Sequence, residues 1–541
     1  MLTLLSGSSN MAPTDALKVA VPLGIGLASM AYLTIKLTTG YSFSTDKSIP
    51  MASLRPGETA HDKEYKEDAD AFLRRCEEEY GPVFNIFYMG KPYTVVSGPQ
   101  IREVFMNEDF SAGDAIEELT GMQTFFRSMV KSNRDPDNRV VHEIVRDNIS
   151  PNLPLFTPRI VKELEKNLEK ELGVCPAEEG GKLVEKPVLV LQEMVANAMA
   201  NVFVGPELAQ SRKVIDTFIT VTGDFGKMIE SGIHRKSAWE TFFKRTELNV
   251  LNPLQVHVRL LTEAATPVIL ERRRQEAEAI EQGIEYQRPD DIMQRLLDNF
   301  DKYNFVDLED VCGHLLILVL ASVHTTTDTS TNLLYYMAAY PEHMDRLYEE
   351  HQQVLDAIQQ ERELLRQELL SKGETIDAEL DPSHDRDLSA AAVKRMVHMD
   401  SFVREAFRNR TERLSLMHLA RKSVKLSSGY LISKGSNVII NMRSAHQGPD
   451  QGEDVTEFRP WRFVGKAKAA TKVGTDFLPF GMGRHACPGR FLAMQELKTI
   501  GVLMASKYSK IEVQDPKKLK SVLQSRIGEP AGTGLIFTSR S

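Results

Sequence analysis

From Cys312 to Glu342 the chain reads CGHLLILVLASVHTTTDTSTNLLYYMAAYPE, and few folds can accommodate such a segment. As a helix of roughly 30 residues it would run about 45 Å, enough to cross a globular core. Its LLILVL section is apolar on every side, as a buried helix requires, and Pro341 ends the pattern. A membrane span is the rival reading. It is disfavoured because the apolar run from Leu315 stops at His324 and a threonine cluster, short of the about 18 residues that a span needs. Segments 159–173 and 252–281 repeat apolar positions every three or four residues with charges between, which predicts surface-facing helices around that core.

A large core suits 541 residues that are 42% hydrophobic and 26% charged, with the prolines dispersed rather than pooled. No internal repeat announces a tandem domain. The formal charge of -9 arises from mixed-sign stretches without a basic stripe, which argues against a nucleic-acid partner. The charged run Asp62–Tyr80 predicts helix, and VFNIFYMGKPYTVVSG after Gly81-Pro82 predicts two strands about a turn at Gly90-Lys91. Residues 176–182 read as a break, and 357–392 as a charged, exposed insertion between helices. The expected fold class is mainly α with a small β subdomain.

After a short segment 1–18, residues 19–35 (VAVPLGIGLASMAYLTI) are uncharged and flanked by Lys18 and Lys36. The run covers about 25 Å as a helix, within the lower range for one span of a thin bilayer. A single transmembrane anchor is expected, with a cleaved signal or a buried helix as competing readings. Residues 36–60, rich in Ser, Thr, Pro and Gly, read as a linker to a domain over 61–541.

Cysteines stand at positions 76, 175, 312 and 487, too few and too scattered for a disulfide scaffold. Any of them could be a plain buried hydrophobe, but the surroundings of Cys487 are unusual. In FLPFGMGRHACPGRFLAMQELKTI (477–500), Phe480, Gly481, Gly483, His485, Cys487, Gly489 and Arg490 form a glycine-punctuated loop before a helix. Glycines let backbone approach a flat macrocycle and permit positive-φ turns. A cysteine just before a helix start has backbone N–H groups near its sulfur, favouring the thiolate. His485 and Arg490 add positive charge where haem propionates could pair. A glycine-rich loop around an inert cysteine is the alternative; a zinc site lacks a second ligand pair nearby.

The string PFGMGRHACPGR resembles the haem-binding signature of the cytochrome P450 family, matching at Phe480, Gly481, Gly483, His485, Cys487 and Gly489. Three more signatures follow the family order. Glu405 and Arg408 in VREAFRNR resemble its paired Glu-x-x-Arg, and the i,i+3 spacing puts both on one helical face. FRPWRF (458–463) resembles the segment whose arginine, here Arg462, completes a buried charge network with that pair. A solvent-exposed ion pair is the alternative for this motif taken alone. The segment 312–341 resembles the long helix over the haem.

Two positions depart from the family pattern. In Ala321-Ser322-Val323-His324-Thr325-Thr326 the usual acid is replaced by His324; the resemblance makes Thr325 the hydroxyl that hydrogen-bonds oxygen at the site, with Thr326 beside it. A histidine titrates near neutral pH and can serve in proton delivery; a packed histidine bonded to a backbone carbonyl is the alternative. His142 and Arg146 are the best match to a Trp-x-x-x-Arg signature that would meet the propionates, with an ordinary surface pair as the alternative.

The resemblance implies a haem-thiolate monooxygenase with haem b ligated by Cys487, electrons from NADPH through a cytochrome P450 reductase, and cytochrome b5 as a further partner. Arg484 and Lys498 are candidate docking cations. Dioxygen and an apolar small molecule are the implied substrates, a terpenoid or similar specialised metabolite on the His-Thr-Thr likeness to fungal members. The implied place is the endoplasmic reticulum membrane, single-pass, with the catalytic domain cytosolic. A reductase-independent peroxygenase or isomerase, or a membrane-tethered ligand-binding protein, are the other classes.

Overall fold

The computed structural model describes residues 49–132, 139–230, 252–376, 380–410, 413–448, 451–523 and 532–540. The run 19–35, and with it the expected anchor, lies outside the described residues. The long apolar segment forms a helix over Leu308–Ala339. Asp307 caps its start by accepting from Asp310 N at 3.0 Å, and it stops at Tyr340, before Pro341. Leu315 through Leu320 are buried on every side. Among the described residues this is the one helix long and apolar enough to cross a membrane, but 67% of its apolar window is buried inside the protein. It is the central core helix.

Helices Pro187–Phe203, Arg212–Glu230, Pro253–Gln282 and Arg490–Lys507 pack on that helix. The segments expected to be helical at 159–173 and 252–281 are helices over Leu153–Glu171 and Pro253–Gln282. The charged run after residue 62 forms two helices, Asp62–Glu67 and Ala69–Tyr80, because Asp68 leaves helical geometry and caps the second through Ala71 N. Residues 357–372 are largely exposed, as expected, but do not lie between helices: they continue the helix Met344–Lys372, and Arg366 is held by Asp385 at 2.6 Å. Alternating charges at helical spacing support such an extension.

The small β subdomain is a five-stranded sheet in the order Val83–Tyr88, Lys91–Val96, Asn437–Asn441, Leu414–Ala420, Phe110–Ser111. The first two strands form the expected hairpin, and its turn residues Met89 (φ 50°) and Gly90 (φ 79°) both have the positive φ of a tight hairpin turn. Lys91–Val96 pairs parallel with Asn437–Asn441, joining the two ends of the domain. Part of the stretch read as linker joins this sheet, with Ala52 N donating to Asn85 O at 2.9 Å. A second sheet holds Lys182–Val184, Leu535–Ser539 and Tyr508–Val513.

The start of the central helix is fastened by a buried carboxylate. Asp310 Oδ1 accepts from Lys131 N at 2.9 Å, and Oδ2 accepts from Ser132 N at 3.2 Å and Val306 N at 3.1 Å. Gly313 lies against the Met129 carbonyl so closely that any Cβ would collide with it. Burial acts to raise the Asp310 carboxyl, but His314, Ser132 and the Lys131 and Val306 amides together hold it well below the usual carboxylate range. A depressed carboxyl stabilises above its unfolded pKa and loses that contribution as pH falls. Asp310→Asn is therefore expected to cost about 1–3 kcal/mol in urea unfolding at neutral pH. The gap to the wild type should shrink as pH drops below about 4; a constant gap would contradict the assignment.

Candidate active site

The cysteine loop is shaped by hydrogen bonds that its glycines permit. Gly481 (φ 66°) and Gly483 (φ 64°) occupy the left-handed region, where other residues are strained. Gly481 N donates to Leu478 O at 2.8 Å, and Cys487 N donates to Phe480 O at 2.7 Å. A Cβ on Gly483 would stand 3.2 Å from Met106 Sδ. The helix Arg490–Lys507 then starts from Gly489, and the Gly489 and Arg490 amides at its first turn favour the charged form of the Cys487 sulfur. Burial nevertheless pushes the Cys487 thiol up, and those amides with the Arg490 charge offset only part of it. The helix start thus acts in the direction the sequence suggests, toward thiolate, against the burial of the sulfur.

Arg490 is committed to the loop. Its guanidinium donates to Cys487 O at 2.9 Å and to Thr471 O at 3.2 Å, and lies 4.4 Å from the Phe491 ring centre. It braces the cysteine turn instead of standing free for a propionate. The side chain of His485 lies outside the described ones.

Glu405, Arg408 and Arg462 come together as read, and they are buried: 0%, 1% and 8% exposed. Arg408 donates to Glu405 through Nε (2.7 Å) and Nη2 (2.8 Å), a bidentate fork, and Arg462 Nε donates at 3.0 Å. The exposed-pair alternative does not hold. The remaining guanidinium protons gather the carbonyls of His446, Gln451, Glu453, Asp454, Val455 and Glu457. His446, a residue that sequence reasoning missed, carries the network to the cysteine loop: its carbonyl accepts from Arg408, and its Nε2 accepts from Leu478 N at 3.0 Å. Burial, aided by Arg408, drives the ring down to about 3, so it stays neutral and Nε2 stays an acceptor. Arg404 was missed too. It is buried beside Glu405, with its guanidinium carbon 3.8 Å from the Phe477 ring centre.

In its middle, the central helix changes character. Ala321, His324 and Thr325 are exposed in the middle of an otherwise buried helix, while Val323 and the following Thr326 are buried. One face of this turn borders open space, and His324 lies on it, not packed. Thr325 Oγ1 donates to Ala321 O at 2.7 Å. Thr326, expected beside it, points the other way: its Oγ1 donates to Glu496 Oε2 of the cysteine helix at 3.4 Å. That contact joins the two halves of the site, since Glu496 is six residues, about 9 Å of helix, from Arg490. An open face on a core helix and a cysteine presented by a glycine-shaped turn fit a flat macrocycle held between them.

Other expected residues fall elsewhere. His142 lies in the helix Arg139–Ile144, but Val145–Ile149 is a π-helical turn that breaks the i,i+4 register assumed for Arg146. Arg146 is accordingly 68% exposed and pairs with Asp147 at 2.7 Å, not with the site. Lys498 is 5% exposed and bound to Asp400 at 3.3 Å, so it is no surface docking cation. Arg484 is exposed, 3.4 Å from Glu108.

The sequence profile of the cytochrome P450 family matches residues 60–529. The cytochrome P450 monooxygenase paxP of Penicillium paxilli is 27% identical over 398 residues, covering 72% of this chain and 70% of that protein. The cytochrome P450 monooxygenase 151 of Postia placenta is 25% identical over 460 residues, 81% of this chain and 82% of the relative. The cytochrome P450 monooxygenase AtmP of Aspergillus flavus is 26% identical over 377 residues, 67% and 65% respectively. The chain belongs to the cytochrome P450 family of haem-thiolate monooxygenases.

Proposed function

We propose that this enzyme hydroxylates or further oxidises an apolar specialised metabolite, a terpenoid, with Cys487 as the residue that would hold the iron of haem b. One oxygen atom of O2 enters a substrate C–H bond and the other leaves as water, taking two electrons that NADPH supplies through a reductase and two protons, one from NADPH and one from solvent. The observation that carries the reading is the exposed Ala321-His324-Thr325 face in the middle of a core helix. When bound, the haem supplies the radical oxygen chemistry, and a thiolate ligand pushes electron density to its iron.

The protein's own contribution is position and protons. Phe480, Gly481 and Gly483 shape the turn that aims Cys487. Thr325 Oγ1, its proton engaged by Ala321 O, offers lone pairs to a water at the site. His324 can pass a proton to that water from solvent, since an imidazole can both accept and donate a proton. On the far side of the cysteine helix, a 900 Å³ groove is lined by Lys394, Lys466, Lys468 and Lys472 around Phe463 and Phe491. Its charge suits an acidic reductase face. Residues 19–35 hold the domain to the endoplasmic reticulum membrane, on its cytosolic side.

The test is turnover of the full-length, haem-loaded enzyme with NADPH and a reductase against a panel of terpenoids under labelled dioxygen. A hydroxylated product carrying one labelled oxygen is expected. Product formed from peroxide but never with the reductase would favour the peroxygenase class instead. His324→Ala should lower product formed per NADPH by about tenfold or more, while His324→Asp retains it; unchanged coupling in His324→Ala would end the relay role.

A further inference from the structure

The groove on the far side of the cysteine helix has an interior that contact with a protein face does not account for. Its volume of about 900 Å³ lies in the range of small-molecule sites. The wall is largely apolar: Phe463 and Met494 are buried in it, while Phe491 and Val397 remain 40% and 51% exposed. Five lysines line it against a single carboxylate, Asp400. Lys468 meets Asp476 at 2.7 Å, Lys472 the Ala467 carbonyl at 2.9 Å and Lys498 meets Asp400 at 3.3 Å. The ammonium groups of Lys394 and Lys466 have no acceptor among the described residues.

Lys498 carries the argument. It is 5% exposed, and burial holds its ammonium below the usual lysine range, with Asp400 pulling the other way. An ammonium has three N–H donors. Lys498 uses one of them, on Asp400, whose other oxygen already accepts from Ala470 N at 2.8 Å. One turn earlier on the same helix, Gln495 Nε2 is buried with no acceptor in the protein. Buried donors left unmet are destabilising, and a concave, low-dielectric wall concentrates the field of the lysines around it. An anion with an apolar tail relieves both: its head takes the free donors, and its chain covers Phe463, Met494 and Phe491. An inorganic anion leaves the apolar wall bare, and a neutral lipid leaves the donors unmet.

We propose that the groove binds a single-chain amphipathic anion, an aliphatic tail with a carboxylate or phosphate head, with the head at Lys498 and Gln495 and the cations of Lys394 and Lys466 at its rim. A bound amphiphile occupies the face offered to the reductase, so it would throttle electron delivery. Only that consequence rests on the role given to the groove above; the binding does not.

The test uses the full-length, haem-loaded enzyme in phosphatidylcholine nanodiscs and a dodecanoic acid carrying a photoreactive diazirine in its chain, kept below its micelle concentration. Saturable cross-linking to residues 390–397, 463–472 or 491–498 is expected, with no movement of the haem absorption band that a ligand in the substrate cavity would shift. Dodecanol should compete about tenfold or more less well than dodecanoate, because it lacks the charge that strengthens each hydrogen bond. Lys394→Glu with Lys466→Glu should weaken binding about tenfold, and Gln495→Leu should weaken it severalfold. Dodecyl phosphate is the second competitor: tighter competition by the phosphate assigns a lysophospholipid as the source, and tighter competition by the carboxylate assigns a free fatty acid. Cross-links confined to other residues, equal competition by dodecanol, or unaltered affinity in both sets of variants would each overturn the proposal. In the same samples, NADPH-driven reduction of the haem should slow as dodecanoate saturates the site. Cross-linking in the groove with an unchanged reduction rate would move the reductase elsewhere and leave the anion site standing.

Discussion

Cys487→Ala is expected to fold, bind little haem and give no oxygen-dependent product. The loop is held by main-chain bonds, Cys487 N to Phe480 O and Gly481 N to Leu478 O, and by the Arg490 contact to Cys487 O, none of which needs the sulfur. Only the side chain that would donate to the metal is lost. Far-UV circular dichroism and the urea midpoint should therefore stay close to the wild type, since removing one partly exposed sulfur costs little packing. The carbon monoxide difference spectrum of the reduced protein should lose the red-shifted band that marks thiolate ligation, and product formation should fall to background. Cys487→Ser, which keeps an oxygen donor, should retain more haem than the alanine variant but not the thiolate band. Survival of that band and of turnover in Cys487→Ala would refute the ligand assignment.

Features whose partners are close in sequence, or whose chemistry allows one role, are legible in the sequence. The hairpin follows from Gly90 between two β-rich runs, although its turn falls at Met89-Gly90, one residue before the Gly90-Lys91 expected, and Glu405 with Arg408 follows from a spacing of three on one helix face. The central helix was readable because a run apolar on all sides has nowhere to go but the core. The misplacements share a cause: a partner distant in sequence decides them. Lys498 looks like a surface cation beside Leu497 until Asp400, on another helix, is brought against it. Arg490 could serve a ligand or the backbone, and the Thr471 and Cys487 carbonyls claim it. Arg146 failed for a local reason, because a π turn cannot be read from residue type. His446 and Glu496 left one usable signal each: a histidine just after a buried strand, and an acid in the apolar period of LAMQELKTI.

Glu405→Ala should be the most damaging of these substitutions to the fold. Its carboxylate is fully buried and accepts from Arg408, from Arg462 and from Arg459 N. Removing it leaves two guanidinium ions without a counter-charge in a site that water does not reach. Breaking one partner out of a buried pair costs about 3–5 kcal/mol, a large part of the roughly 5–15 kcal/mol that holds a domain together. The loss would travel a defined route, because Arg408 also holds the His446 carbonyl and His446 holds Leu478 at the base of the cysteine loop. Haem retention should therefore fail together with stability in Glu405→Ala. If that variant does not accumulate, Arg462→Lys supplies the same test in milder form. A lysine keeps the charge but not the planar fork that reaches Glu405 and four carbonyls at once. Its urea midpoint should fall and its haem loss quicken, with little dependence on salt because the network is shielded from ions. A Glu405→Ala protein within about 1 kcal/mol of the wild type, a value typical of exposed pairs, would mean that the network does not support the cysteine loop.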